Sequence, residues 1–512
     1  MHSADEQTVA DGCGRIFHHL NQRAHRSLVL SIAFIIVCQT SARSEKMLDV
    51  LRVAFDHSPV LKAERERLRS TAQSVPAAQA GFLPTVTASA DAGWQEAQYA
   101  SATGVTSRRK PMGWSATVEQ PIFDGGAALN AVRRANASVR AGRQTVASVE
   151  SDVLLAAASA YADVIQARAV LALQIQSMRA FQTTRNLTKE RRSVGDVAIA
   201  DVAQTEAALA GAEIQVGTAR VALTVAEAQF LQIVGRHPKR LEAFHTAALA
   251  LPEKLENALH QAETQHPQIF AAYHREEAAR HNIEVARAKY LPTVSLQASY
   301  QSRRDADGTV ALVDPRSAAT VQAVAHIPLY SGGSVDAEVN AARHTRLSLV
   351  HELAQERAVV RTAVTQAWSN WYQTVLSRKL LANQIEANSR ALAGLRKEQS
   401  VGQRAVIDVL NAERDLVTSR IAMEQARRAT TVSGFTLLAS VGALSMQTLI
   451  SASAPRVASQ RLTIEATKQN VGGTAGTSAA WSTTVHADGL VSKTIDRTSP
   501  IYGVSPPKGS SP

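Results

Sequence analysis

Gly81-Phe-Leu-Pro-Thr-Val-Thr87 returns 208 positions later as Lys289-Tyr-Leu-Pro-Thr-Val-Ser295, counted from Pro84 to Pro292. Gln120-Pro-Ile-Phe-Asp-Gly-Gly126 returns as Ile327-Pro-Leu-Tyr-Ser-Gly-Gly333, a shift of 207 from Gly126 to Gly333. Val194-Gly195 returns as Val401-Gly402, Asp201 as Asp408 and Val234-Gly235 as Val441-Gly442, each again at 207. Even His57-Ser-Pro59 has a counterpart in His266-Pro267. Chance does not hold one register across so many landmarks, so the chain is two copies of one unit, and the repeat decides the architecture.

Within each unit, residues after the Leu-Pro alternate. Val86, Ala88 and Ala90 oppose Thr85, Thr87 and Ser89, and Val294, Leu296, Ala298 and Tyr300 oppose Thr293, Ser295, Gln297 and Ser299. Second alternating stretches run from Trp114 to Ile122 and from Val321 to Leu329. This period of two gives four β-strands, each with one apolar and one polar face. The links are expected to be polar loops carrying Arg108-Arg-Lys110 and Arg303-Arg-Asp305-Ala-Asp-Gly308. Each Gly-Gly opens a proline-free helical pattern, about Ala127 to Arg192 and Ser334 to Gln399. Val132, Val139, Val146 and Val153 keep a seven-residue spacing, as do Leu353, Val360 and Ala367, which is coiled-coil packing. At ~1.5 Å per residue such helices are rods of roughly 100 Å. Past each Val-Gly a second helix, near Ala198 to Val234 and Ala405 to Val441, returns antiparallel. Shorter helices, about Ser44 to Ala80 and Leu255 to Ala288, lead into the strands.

Composition agrees with rods rather than a bulky globule. Of 512 residues 45% are hydrophobic but only 4% aromatic, the balance of long helices packed closely through Ala, Val and Leu. The formal charge of +11 comes from arginines interleaved with acids and amides along helices, a solvated face rather than a nucleic-acid surface. Arg23 and Arg26 precede the ten-residue apolar run Leu28 to Val37 and the small residues Thr40-Ser-Ala42. That is the form of a secretory signal with a long n-region, too short to span a membrane at ~20 residues. Cleavage after Ala42 removes both cysteines, Cys13 and Cys38, and with them any disulfide. Lipidation of Cys38 is the competing reading, disfavoured by the bulky Val37 before it. The expected organisation is a signal peptide over 1–42, a first repeat over 43–240, a second over 241–450, and a low-complexity, disordered tail over 451–512.

The strands are the candidates for crossing a bilayer, which accepts only long apolar helices or a closed barrel. Four strands cannot close alone, because single-chain barrels start at about eight, so several protomers are required. Phe82, Phe123, Tyr290 and Tyr330 lie at the helix-side ends of the strands, as an aromatic belt would, although each ring also suits packing on the strand-to-helix bend. Pro84, Pro292, Pro121 and Pro328 mark the strand-helix junctions, since proline neither continues a helix nor donates to a central ladder.

Val401-Gly-Gln-Arg-Ala-Val-Ile-Asp-Val-Leu-Asn-Ala-Glu413 and its partner Val194-Gly-Asp-Val-Ala-Ile-Ala-Asp-Val-Ala-Gln204 resemble the TolC family of outer-membrane efflux and type I secretion channels, over roughly Ser44 to Ser445. The resemblance implies a mainly α fold with a membrane β-barrel portion. It implies a homotrimer in which three sets of four strands form one twelve-stranded barrel in the outer-membrane lipid, continued by a periplasmic α-helical tunnel. It further implies that Gly195 and Gly402 turn the tips toward a periplasmic adaptor (membrane fusion) protein and an inner-membrane ABC or proton-driven transporter. By matching position, Arg404 and Asp201 are the candidate closing link, Asp408 is the candidate acidic ring, and Asn411 stands where some relatives have a second Asp. Alone, Arg404 and Asp408 read equally as an ordinary surface pair at i,i+4. Type I secretion is preferred slightly on the Asp408-to-Glu413 phrase, with multidrug or metal efflux as the alternative.

An enzyme is disfavoured. His260 and His266 lack metal-site spacing, and Gly472-Gly-Thr-Ala-Gly476 lacks the Lys-Ser/Thr ending of a phosphate loop, so neither a cofactor nor a metal is expected. A periplasmic coiled-coil adaptor explains the heptads but not the four strands.

Overall fold

The computed structural model describes residues 45–98, 106–244, 249–306 and 317–453, together with the short pairs 484–485 and 491–492. The expected signal run, both cysteines and nearly all of the expected tail lie outside the described residues. The helices are α1 (Met47–His57), α2 (Pro59–Ala72), α3 (Ser74–Gln79), α4 (Ala127–Ser193), α5 (Ile199–Val234), α6 (Leu255–Gln265), α7 (Pro267–Ala288), α8 (Ser334–Ser400), α9 (Val406–Ser440) and α10 (Met446–Ser453). The strands are β1 (Thr85–Ala92), β2 (Gln95–Gln98), β3 (Thr106–Phe123), β4 (Thr293–Ala306) and β5 (Ser317–His326). A separate unit from Arg456 to Pro512 carries a two-residue antiparallel pairing, β6 (Thr484–Val485) with β7 (Val491–Ser492).

The long helices begin and end within a residue of expectation, but the rising helices do not run unbroken. Ser58-Pro59 divides the first and His266-Pro267 the second. The residue before proline is driven out of the helical region, and proline then restarts the helix at its first position, where no N–H is needed. Each break carries a side-chain cap: Leu61 N–H donates to Ser58 Oγ at 3.2 Å, and Gln268 N–H to His266 Nδ1 at 3.2 Å. Burial pushes the His266 imidazole below its usual pKa, consistent with a neutral ring that accepts.

The principal core lies midway along the rods. Val50, Leu51 and Ala54 of α1 meet Leu154, Ala157, Tyr161 and Val164 of α4, Phe230 and Val234 of α5, and Phe435 and Leu438 of α9. The α4 members recur at three and four residues, one stripe of a helix. Val139 of the expected heptad is buried, whereas Val132, Val146 and Val153 are only half-buried. The second repeat has its own cluster, in which Ala258, Ala262 and Ile269 pack on Val360, Val364 and Ala367. α7 lies between the two long helices and holds one with each of two adjacent carboxylates: Arg346 of α8 reaches Glu276 at 2.6 Å, and Arg140 of α4 reaches Glu277 at 2.8 Å. Although α4 is long and apolar enough to cross a membrane by composition, it packs along α5, α7 and α9.

The segment joining the repeats is tied down by Arg168, which donates to the Lys239 carbonyl at 2.7 Å, by Arg236 paired with Glu45, and by Tyr161. The Tyr161 hydroxyl donates toward the carbonyls of Glu242 (2.6 Å) and Glu45 (3.0 Å) and accepts from Glu242 N–H at 3.1 Å. Glu45 and Leu241 form a parallel bridge beside it. Desolvation pushes this phenol up to about 12.

The sheet order is β1-β3-β4-β5, with β2 continuing beside β3 beyond the end of β1. Here the expected loops are corrected. Arg108-Arg-Lys110 lies within β3, and Arg303 and Arg304 lie within β4, because both hairpins extend past the apolar stretches. Cross-strand charges hold the extension: Arg108 meets Glu96 at 3.2 Å and Arg303 meets Asp91 at 3.3 Å. Pro84 and Pro292 immediately precede β1 and β4, and Pro328 follows β5. Pro121 is not beyond its strand but inside β3, where the register with β4 shifts between Pro121 and Phe123. A missing N–H is tolerated at such an irregularity.

Candidate functional site

Two regions carry the functional geometry: the two faces of the sheet and the two helix tips. Residues opposite one another in an antiparallel ladder share a face, so register assigns every side chain. Val86 pairs with Val118, which pairs with Ala298, which pairs with Val321. Ala90 pairs with Trp114, Ala88 with Ala116 and Tyr300, and Leu296 with Ala323. That face is mainly apolar between Leu296 and Trp114, interrupted by Gln120 opposite Leu296 and Ser302 opposite Trp114, and the Trp114 and Tyr300 rings meet at 5.3 Å. The opposite face carries Thr87 with Thr117 and Ser299, Ser89 with Ser115 and Gln301, and Gln297 with Gln322. A sheet with one lipid-compatible and one water-compatible face is a segment of a membrane barrel wall.

At the helix side of this sheet Phe82, Phe123 and Tyr290 are about half exposed, and Tyr330 is 89% exposed. Tyr290 also donates its hydroxyl to Asp336 at 2.6 Å, so it braces the strand-to-helix bend while presenting its ring. Asp124 caps α4, accepting from Gly126 N–H at 2.9 Å and Ala128 N–H at 2.5 Å.

At the far ends, Gly195 and Gly402 hold φ of 82° and 76°. In each turn the next residue's N–H closes back on the departing helix, Asp196 to the Arg191 carbonyl at 3.0 Å and Gln403 to the Glu398 carbonyl at 2.9 Å. This is the left-handed closure that glycine favours. A strap follows at repeat-equivalent positions: Lys189 meets Glu206 at 2.6 Å across the first hairpin, and Arg396 meets Glu413 at 2.6 Å across the second. Sequence reasoning passed over these pairs, yet Lys189 to Arg396 and Glu206 to Glu413 both repeat at 207. Each pair also brackets its tip with a cation before the turn and an acid after it, and that combination was the available signal. Lys189 holds the Glu206 carboxyl below its usual range. Between the hairpins Phe181, Ala208, Leu209, Val406 and Leu410 form a local core. A cleft of about 520 Å³, lined by Thr184, Thr188, Arg191, Arg396 and Gln399, opens beside it.

The four aperture candidates divide. Asp408 stands on α9 with its carboxylate 3.9 Å from Arg404, and Asn411 is exposed one turn further on. The expected link from Arg404 to Asp201 is not made within one protomer. Arg404 instead donates to Glu398 at 2.9 Å, and Asp201 accepts from Ala198 N–H at 3.2 Å, capping α5. Both are local bonds, each closed within its own hairpin. Glu398, then Asp408, hold the guanidinium above its ordinary pKa. Glu398 was missed because its six-residue offset spans a turn and follows no helical period. Among the described residues no group of His, Cys, Asp or Glu converges as metal ligands.

The architecture is that of an outer-membrane channel protomer. The family model described as outer membrane efflux protein matches residues 50–236 and 258–443. The outer membrane efflux protein BepC of Brucella suis is 30% identical over 80% of this chain and 88% of its own length. The outer membrane protein TolC of Escherichia coli is 25% identical over 80% of the chain and 84% of its own length. Among solved structures, the transmembrane channel CusC superposes with a TM-score of 0.69 at 17% identity, covering 78% of this chain and 92% of that one. The chain belongs to the outer membrane efflux protein family, the TolC family, and is an outer-membrane channel protein. That is a family of channels rather than of enzymes.

Proposed function

We propose that three copies of this chain close into one duct, the exit stage of a tripartite export system. The observation that carries this reading is the sheet itself, amphipathic across all its strands yet open at both edges. Within the protomer β1 and β5 have no further strand partner among the described residues. Open edges in a bilayer leave backbone groups unsatisfied, a cost removed by pairing β5 of one copy with β1 of the next. The helices support the same assembly: Ile214, Val221 and Val225 of α5 and Leu347, Tyr372 and Leu380 of α8 are exposed apolar residues on the protomer's flanks. Three sheets then make the twelve-stranded barrel, and the rods make the periplasmic tunnel.

In this reading Gly195 and Gly402 shape the tips that meet a periplasmic adaptor and an inner-membrane transporter, with the cleft beside Arg191 and Arg396 available to the adaptor. Asp408 lines the aperture, Arg404 positions it, Asn411 leaves one acidic ring rather than two, and Asp201 contributes from the first tip. Three Asp408 carboxylates near one axis concentrate negative potential and favour cations. Phe82, Phe123, Tyr290 and Tyr330 form the inner-interface belt, and the two repeats span 43–240 and 241–450. Type I secretion is the preferred use, supported by the Asp408-to-Glu413 phrase. Small-molecule efflux is the second reading, supported by the 30% identity to a protein named for efflux.

Planar-bilayer recording tests the aperture: Asp408→Ala weakens block by multivalent cations, and Arg404→Ser raises conductance. Traces indistinguishable from the parent channel would remove both residues from the gate. A chain that fractionates as a soluble periplasmic monomer would sink the duct itself. In a deletion strain, restored export of a protein substrate supports secretion, whereas restored tolerance to toxic small molecules alone supports efflux.

A further inference from the structure

The apolar face of the sheet does not end in water-facing neutral residues at its distal rim. Above Trp114 and Tyr300, the same face carries Arg304, opposite Met112, then Lys110, opposite Ala306, and then Arg108, opposite Glu96. All three cations are exposed. The opposite face at this level carries Arg303, and there the charge is compensated by Asp91 at 3.3 Å. On the apolar face only Arg108 is compensated, by Glu96; Arg304 and Lys110 have no ion pair among the described residues. On the lipid side of the rim, Arg304 and Lys110 are therefore the cations without an ion pair among the described residues.

Height places it. From Phe123 at the helix-side end to Met112 is eleven steps along β3, about 37 Å of strand at ~3.4 Å each. At a tilt of ~45° this is roughly 26 Å, the thickness of a barrel's apolar band. Arg304 and Lys110 therefore stand immediately beyond the hydrocarbon. They are diagonal neighbours across β3 and β4, ~7–8 Å apart, close enough for both to face one headgroup.

We infer that Arg304 and Lys110 form a docking surface for phosphate-bearing headgroups of outer-leaflet lipid. Guanidinium and ammonium are the side chains that bind phosphate, and continuity with the Trp114–Tyr300 band selects a lipid over a soluble anion. Arg108, held by Glu96, borders the surface. The inference rests on the outer-membrane barrel described above.

The test uses the full-length channel in phosphatidylcholine nanodiscs containing bisphosphorylated lipid A, with dephosphorylated lipid A as comparison. Retained lipid is counted by native mass spectrometry. Each lost cation is expected to weaken retention about fivefold, so Lys110→Ser with Arg304→Ser gives roughly 25-fold. Lys110→Arg with Arg304→Lys keeps retention, and Arg303→Ser on the other face leaves it unchanged. Heat-modifiable gel mobility and conductance of each variant report whether the barrel itself has assembled. Should the double serine variant assemble and still retain lipid A like the parent, the inference is overturned. It is equally overturned if dephosphorylated lipid A binds as well, if Arg303→Ser matters as much, or if millimolar inorganic phosphate competes fully.

Discussion

Two glycines with the same backbone conformation and opposite surroundings provide a test of what each turn tolerates. Gly402, at the second tip, and Gly442, at the end of α9, both have φ of 76°. An alanine in that region costs about 1–2 kcal/mol at either site. The neighbours differ: a Cβ on Gly402 meets nothing within 4 Å, whereas on Gly442 it would lie 2.7 Å from His266 Cα and 3.0 Å from the Gln265 carbonyl oxygen. Both contacts are backbone at the α6–α7 break and cannot rotate aside, which adds about 1–3 kcal/mol of overpacking. Gly402→Ala should therefore cost about 1–2 kcal/mol and act locally, whereas Gly442→Ala should cost about 2–5 kcal/mol and act on the central core. Hydrogen exchange read by mass spectrometry separates them. Gly402→Ala should speed exchange over 398–410 by about 5–30-fold with the heat-modification midpoint unchanged. Gly442→Ala should lower that midpoint and expose amides of α6 and α9. Equal midpoints for the two variants, or faster tip exchange in Gly442→Ala than in Gly402→Ala, would refute the reasoning.

Other perturbations follow from the same structure. Ala116→Arg places a charge on the apolar face and should cost about 2–4 kcal/mol of barrel stability near the bilayer midplane, whereas Thr117→Arg, one residue along on the polar face, should assemble normally and alter conductance; urea unfolding in lipid vesicles measures both. Tyr161→Phe removes the hydroxyl shared by Glu45 and Glu242 and should cost about 1–3 kcal/mol, seen as earlier proteolysis within 235–244. His266 has a folded pKa below 6.5, so the stability it contributes is complete above about 6.5 and declines as pH falls through the folded value. His266→Asn keeps a capping acceptor without that titration and should flatten the decline below pH 6.5 in a thermal-midpoint series.

Much of this protein was legible before folding was considered, because the repeat supplied its own control. Val194-Gly195 and Val401-Gly402 marked both tips, and the alternation around Val86 and Val294 marked the lipid face, since period two leaves no freedom about which residues share a face. The Ser58-Pro59 and His266-Pro267 landmarks were visible as repeats, yet their effect as helix breaks was not drawn. The extension of β3 and β4 through Arg108-Arg-Lys110 and Arg303-Arg304 was illegible for a physical reason. Consecutive cations have the composition of a loop, and only cross-strand partners on a neighbouring strand make them a ladder.

The sequence by itself determined the duplicated unit, the lengths of its rods, the two-faced strands and the glycine reversals, all properties of local periodicity and backbone freedom. Tertiary structure alone decided which charges meet. Arg404 turned to Glu398 rather than Asp201, Lys189 and Arg396 became straps across their hairpins, and Tyr161 became the clasp of the segment between the repeats. Ion pairs and buried hydroxyls depend on distances across elements, and those distances are set only when the helices pack.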